Sequence, residues 1–229
     1  MALFVIADLH LSFGSDKPMD VFPGWANYTQ KLEENWNRRV RAEDTVVIAG
    51  DISWAMKLEE TFQDFSFIHR LPGKKLLLKG NHDYWWSTKT KIERYFSANG
   101  FDDMSVVFNC AHEADGKIIF GSRGWLYNAA TDEDMKIVNR EVGRLRLSLK
   151  DAQKYQGEKI AFLHYPPVYD NMECKEILQV LLENNIKDCY FGHIHGKQAG
   201  RKAPTGEYKG IHMHLISCDY VGFTPVRVK

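Results

Sequence analysis

Leu76-Leu77-Leu78-Lys79-Gly80-Asn81-His82-Asp83 is the stretch on which the reading of this chain turns. A short apolar run bounded by a turn signal reads as a buried strand. The Gly-Asn-His-Asp that ends it delivers an amide oxygen, an imidazole and a carboxylate into one small volume. Open α/β sheets bind ligands beyond the carboxyl ends of their strands. Fold and chemistry therefore depend on whether other strands in the chain end the same way.

They do. Residues 3–7 form a continuous apolar run, as expected of a strand buried on both faces, and close on Asp8-Leu9-His10. Residues two apart in an extended segment point to one side, so both side chains can aim at one ion. Residues 45–49 are apolar and β-branched and close on Gly50-Asp51. Further on, residues 159–163 run into His164, and residues 188–191 into Gly192-His193-Ile194-His195. Singly these are weak signals, since an Asp after Gly is commonly a turn residue and a lone His commonly a satisfied core or surface residue. Together, in order and all at strand ends, they form a constellation.

Helical periodicity fills the intervals. Trp25, Tyr28, Leu32, Trp36 and Val40 share one face, as do Leu58, Phe62, Phe65 and Ile68. Ser87 can cap a helix carrying Ile92, Tyr95 and Phe96. In the middle of the chain short strands are expected, two of them joined through Asp115-Gly116 as a hairpin. Thr131 and Asp134 resemble a capping box opening a long helix, whose polar face carries Lys136, Arg140, Arg144 and Lys150 and reads as solvated surface. Residues 207–229 read as antiparallel strands.

The bulk properties agree with one α/β domain spanning residues 1–229. The length of 229 residues fits one large domain, and 44% hydrophobic with 26% charged residues is ordinary for a globular core. Thirty basic residues balance thirty acidic ones, which argues against a general nucleic-acid or membrane-surface binder. Cys110, Cys174, Cys189 and Cys218 have no paired spacing, so free thiols in a reducing compartment are expected. With no membrane-length apolar run and no signal-type N-terminus, a cytoplasmic protein is expected. Oligomeric state is not legible.

Mixed imidazole and carboxylate ligands suit first-row ions such as manganese, iron or zinc. Their number exceeds the need of one tetrahedral zinc. Two ions roughly 3.5–4 Å apart would use them all, sharing one carboxylate and generating a hydroxide near neutral pH.

The blocks Asp-x-His, Gly-Asp, Gly-Asn-His-Asp, His and Gly-His-x-His, in this order from Asp8 to His195, make the sequence similar to the calcineurin-like metallophosphoesterases, and in finer detail to a bacterial-type group of predicted phosphohydrolases. The resemblance implies a four-layer αββα sandwich of two mixed β-sheets flanked by helices, α/β in class (α+β by some schemes). It implies Asp8, His10 and His195 on one ion, Asn81, His164 and His193 on the other, and Asp51 as the bridge. Manganese is the favoured metal. His82 would stabilise the transition state or protonate the leaving oxygen, with Asp83 orienting it. Trp54 stands where many members carry Asp or Asn. The implied activity is hydrolysis of a small phosphodiester or phosphomonoester by a metal-bridging hydroxide. The alternatives are a nuclease of the same family and an inactive scaffold, as in the retromer subunit of the superfamily. Trp54, Tyr84 and Trp85 are candidates for lining the pocket, and Arg123 for holding a non-transferred phosphate.

Overall fold

The structure, a computed structural model, describes residues 1–125 and 131–229. In chain order its elements are β1 (Leu3–Ile6), α1 (Tyr28–Arg39), β2 (Thr45–Ala49), α2 (Phe62–Arg70), β3 (Lys74–Leu78), α3 (Lys89–Ala98), β4 (Met104–Val106), β5 (His112–Ala114), β6 (Lys117–Ser122) and α4 (Asp132–Ala152). They continue with β7 (Glu158–Leu163), β8 (Val168–Tyr169), β9 (Met172–Glu173), α5 (Lys175–Glu183), β10 (Asp188–Phe191), α6 (Lys197–Gly200), β11 (Gly206–Tyr208), β12 (Ile211–Leu215) and β13 (Val226–Arg227).

Two sheets follow from these strands. One has the order β13-β1-β2-β3-β4 and the other β11-β12-β10-β7-β6-β5, while β8 and β9 pair as a small hairpin. Both large sheets are mixed: β1 to β4 run parallel with β13 antiparallel at the edge, and β6, β7, β10 and β12 run parallel with β5 and β11 antiparallel. The period of two along each strand sorts its side chains between layers. Phe4 and Ile6 of β1, and Val46 and Ile48 of β2, face a core shared with the α1, α2 and α3 residues Trp36, Phe65 and Phe96. The intervening Leu3, Val5, Val47 and Ala49 face Ile160, Phe162 and Tyr190 of the second sheet. On that sheet's far side Ala161, Leu163 and Phe191 pack against Leu145 and Leu149 of α4 and Leu178 and Leu181 of α5. Three apolar layers between four structural ones give the αββα sandwich.

Local signals place most of the helices. The capping box at the start of α4 forms, with the Thr131 hydroxyl accepting from the Asp134 amide at 3.1 Å. The cap of α3 is Thr88 rather than Ser87, and Trp25 lies ahead of α1. The C-terminal segment differs from expectation in direction: β12 runs parallel to β10, and only β11 and β13 are antiparallel. Alternation along a short strand reports which face is buried and carries no record of which neighbour the strand joins. Lys75, inside β3, is fully buried because its ammonium group donates to the Leu71 carbonyl and pairs with Asp103 at 2.5 Å. All four cysteines are buried thiols. Among the described residues no helix is long and apolar enough to cross a membrane.

Phe162 is fully enclosed between the sheets, its ring stacked on Tyr190 at 5.3 Å. Phe162→Ala is expected to cost about 3–5 kcal/mol, the usual range for emptying an aromatic core site. Urea denaturation of the two proteins measures the difference, and a loss below about 1 kcal/mol would mean that the layers do not depend on this contact.

Candidate metal centre

The carboxyl ends of six strands meet at one edge of the sandwich. The chain leaves β1 into Asp8 and His10, β2 into Asp51, β3 into Asn81, β7 into His164, β10 into His193 and His195, and β12 into Asp219. Backbone bonds join the two sheets there: the Ala7 amide donates to the Ile216 carbonyl and the Cys218 amide to the Ala7 carbonyl, each at 2.9 Å. Asp8, His10, Asp51 and His193 all take left-handed φ values, from 46° to 69°. Each such residue costs roughly 1–2 kcal/mol, and the sharp turn it makes swings the side chain off the strand axis into the site. The motif glycines have a steric reason. A Cβ on Gly80 would overlap the Asp51 carboxylate, and one on Gly192 would overlap that of Asp8.

The gathered donors form two groups. Asp8, His10 and His195 offer ligand atoms within 4.8 Å of one another, and so do Asp51, His164 and His193. Within the first, the Nε2 atoms of His10 and His195 are 3.2 Å apart and His195 Nε2 lies 3.8 Å from Asp8 Oδ1. Within the second, Asn81 Oδ1 sits 2.7 Å from His164 Nε2 and 2.9 Å from His193 Nδ1. Asp51 Oδ2 stands between the groups, 3.4 Å from His164 Nε2 and 3.7 Å from His10 Nε2. Metal–nitrogen bonds of about 2.0–2.1 Å put neighbouring ligand atoms roughly 3 Å apart, so this donor set and its spacing fit two adjacent transition-metal ions.

The surrounding residues orient these ligands. His164 Nδ1 donates to the Ala49 carbonyl at 3.1 Å and His195 Nδ1 to Asp219 Oδ1 at 3.0 Å, which makes Nε2 the nitrogen that each ring presents to the site. Tyr28 donates its hydroxyl proton to the His10 carbonyl at 2.9 Å. Asp51 accepts the His82 amide on Oδ1, freeing Oδ2. Asp83 is fully buried and does not orient His82. Its carboxylate accepts the amides of Gly80 (2.7 Å), Ile52 (2.8 Å), Asp51 (3.0 Å) and Ser53 (3.3 Å) and the Trp85 indole N–H (3.0 Å). Two loops whose N–H groups lack ladder partners consume the acceptor, so Asp83 positions the segment that holds Asp51.

Burial raises Asp8 to about 6, against the pull of His195 and His164. Burial also opposes charge on Asp51, but His164 and His10 hold it below the carboxylate range. His10 is pushed down to about 3 by burial, and His193 to about 3 by burial and the neighbouring His164. On His164 burial is outweighed by Asp51 and Asp8, which lift it to about 9. Burial lowers His82.

A cavity of about 520 Å³ opens onto this cluster, lined by His10, Asp51, His82, His193, His195 and Asp219 on one side and by Met19, Phe22, Pro23, Trp25 and Trp54 on the other. Trp54 is in the cavity lining, stacked on His10 at 5.1 Å and against His82 at 4.4 Å. Tyr84 stands outside the lining, 53% exposed, its hydroxyl 3.5 Å from His82 Nδ1. Trp85 is in the core, 2% exposed and packed edge-on against Phe65 at 5.1 Å, because its indole N–H is needed by Asp83. Arg123 is turned away from the cavity, toward Glu141 of α4. Asp219 and the rest of the apolar wall, Met19, Phe22, Pro23 and Trp25, are not among the residues that the sequence singles out for the site. Asp219 also follows a strand end, a signal hidden by the reading of residues 207–229 as antiparallel strands, and Trp25 is counted in the sequence with a helix face.

A sandwich with His and carboxylate ligands gathered at its strand ends has the architecture of the metal-dependent phosphoesterases. The family model of the calcineurin-like phosphoesterases matches residues 1–197, and the chain belongs to that family. No curated protein matches the sequence. In fold the chain is similar to a phosphopantetheinyl hydrolase from Mycobacterium tuberculosis, at 12% identity and a TM-score of 0.59 over 99% of this chain and 95% of that one. It is similar also to a protein of unknown function from Aquifex aeolicus, at 17% identity and a TM-score of 0.54 over 99% and 95%. A protein from Thermus thermophilus matches at 12% identity and a TM-score of 0.55 over 99% and 97%.

Asp83→Asn turns an amide NH₂ toward N–H groups, so a loss of about 2–4 kcal/mol in stability is expected, together with weaker metal retention, measured by denaturation and metal analysis. A variant of native stability that loses turnover alone would restore the imidazole-orienting role. The acid–base state of the ligands gives a second expectation. A ligand imidazole must be neutral, and ion-free His164 is protonated below about 9. Manganese uptake at neutral pH is therefore expected to release a proton, with affinity rising as pH approaches the His164 value by up to about tenfold per unit. Calorimetry in buffers of different ionisation enthalpy counts the protons, and a pH-independent affinity would contradict the assignment of His164.

Proposed function

We propose that this protein is a phosphoester hydrolase working through two adjacent transition-metal ions, with manganese, iron or zinc as the fitting metals. The observation that supports this most directly is Asp51, whose Oδ2 lies within 3.7 Å of a ligand nitrogen from each donor group, in the wall of an open cavity. Asp8, His10 and His195 would hold one ion, Asn81, His164 and His193 the other, and Asp51 both. Such ions, when bound, supply Lewis acidity toward phosphoryl oxygens and a strong nucleophile at neutral pH. The five-stranded sheet provides Asp8, His10, Asp51 and Asn81, and the six-stranded sheet His164, His193 and His195. Neither sheet carries the site alone, so the chain acts as one unit.

His82 borders the cavity without belonging to either donor group. Its Nδ1 faces the Tyr84 hydroxyl, so Nε2 is the nitrogen presented to a substrate oxygen. There it donates a hydrogen bond to the phosphoryl group or a proton to the leaving oxygen. Trp54 and Trp25 restrain the His10 ring and exclude water from that side. The substrate class follows from the wall opposite the ligands. Met19, Phe22, Pro23, Trp25 and Trp54 offer contact to an apolar or aryl arm and no cation to a nucleic-acid backbone. A small phosphodiester or monoester with such an arm fits.

The test is to load the protein with manganese, count bound ions, and assay aryl phosphomonoesters, aryl phosphodiesters and cyclic nucleotides. Two ions per chain and metal-dependent turnover are expected. His82→Ala should lower kcat by about 10²–10⁴ with metal content intact, whereas Asp51→Asn should lose metal as well. A protein that binds no metal and turns over none of these esters would be a scaffold.

A further inference from the structure

A second cavity, of about 390 Å³, lies between the β3 loop, the end of β6 and α4. Its lining is Lys79, Trp86, Ser87, Thr88, Phe108, Arg123, Arg140 and Arg144. None of these borders the cavity over the metal ligands. Arg140 and Arg144, which the sequence assigns to a solvated helix face, are brought by the fold against Arg123 and Lys79.

The charges do not balance. Among the described residues two buried carboxylates face these cations: that of Asp83 acts on Lys79, and that of Glu141, fully buried, is shared three ways. Its Oε1 lies 2.6 Å from Arg144, 3.6 Å from Arg123 and 3.9 Å from Arg140. The Lys79 ammonium group donates to the Asp83 carbonyl at 3.2 Å, a neutral partner. The two carboxylates offset at most about two of the four cations, and the remaining like charges repel in a partly desolvated space. A structural ion pair alone needs one arginine. Two buried donors on the same lining, Arg123 Nε and Trp86 Nε1, have no hydrogen-bond partner among the described residues. Buried N–H groups are almost always paired, so these two, like the unpartnered Glu141 Oε2 beside Arg123, mark a polar cluster that its own side chains leave incompletely satisfied. The guanidinium of Arg123 is also held over the Trp125 ring at 4.7 Å and that of Arg144 over Phe108 at 5.0 Å, which restrains both for forked hydrogen bonding. Thr88 caps α3 on this wall, adding the positive end of that helix.

We propose that this cavity is a phosphoryl-binding site separate from the metal centre, taking a compact polyanion of the pyrophosphate class between Lys79, Arg123, Arg140 and Arg144. Arginine forks and a lysine point charge are the usual partners of phosphoryl oxygens. A cavity of about 390 Å³ has room for such an anion. The site stands on its own observations, so its failure would leave the hydrolase reading intact.

Calorimetric titration with inorganic pyrophosphate tests it. Saturable binding is expected, weakening as salt is raised. Arg123 packs on buried Glu141, so Arg140→Gln carries the test: Arg140 is half exposed and its loss leaves the core intact. This variant, and Arg144→Gln with it, should bind pyrophosphate about tenfold more weakly or worse. His193→Ala, which removes a candidate metal ligand, should still bind it. Absence of saturable binding to the unaltered protein would overturn the proposal. So would binding that survives both arginine changes and disappears in His193→Ala, since the pyrophosphate would then sit at the metal centre.

Discussion

The carboxylate of Asp83 is the fixed point of the site although it faces no substrate. It gathers four backbone amides and one indole N–H from the loops after β2 and β3. Those loops carry Asp51 and Asn81, and neither loop is regular enough to satisfy its own N–H groups. A buried anion with five donors replaces the ladder bonds that end with the strands. Without it, Asp51 would have no defined position between the two donor groups. Asp8 does comparable work across the sheets, accepting the His193 amide on both oxygens.

Around these anchors the site combines strain with rigidity. Four ligand residues sit in left-handed conformations, a cost carried by apolar layers on both faces of each sheet. Glycines at 80 and 192 permit the approach of carboxylates to backbone that any side chain would block. The ion-free cluster places buried carboxylates among imidazoles of opposite tendencies, with His164 lifted to about 9 and His10 pushed to about 3. Such a cluster is poorly satisfied by itself. Cations placed between its donors would relieve the repulsion among carboxylates and occupy the lone pairs of the imidazoles.

Much of this was legible in the chain because the fold uses the same local device repeatedly. An apolar run followed by Asp, Asn or His marks a strand end, and parallel strands bring their carboxyl ends to one edge. Asp8, His10, Asp51, Asn81, His164, His193 and His195 could be picked out for that reason. Asp219 escaped because β12 was not recognised as a parallel strand, its direction depending on β10. Trp85 is a pocket candidate in the sequence only through its closeness to the site loops, and Asp83 an orienter of His82 only through the family resemblance. The turn after Gly80 points them inward while His82 points out.

The sequence by itself determined the candidate metal-binding residues and most of the helices, which rest on residue types at fixed offsets and on periodicity, while the sandwich was legible only through the family resemblance that those blocks carry. Tertiary structure alone decided which groups act together. It turned Asp83 from the imidazole toward the backbone, set Trp54 against His10 and His82, and gave one cavity an apolar wall. It also drew Lys79, Arg123, Arg140 and Arg144 from three segments into a basic cavity. The physical reason is distance: hydrogen bonds, ring contacts and charge repulsion act over a few ångströms of space. Residues far apart in sequence acquire such neighbours only when the layers pack.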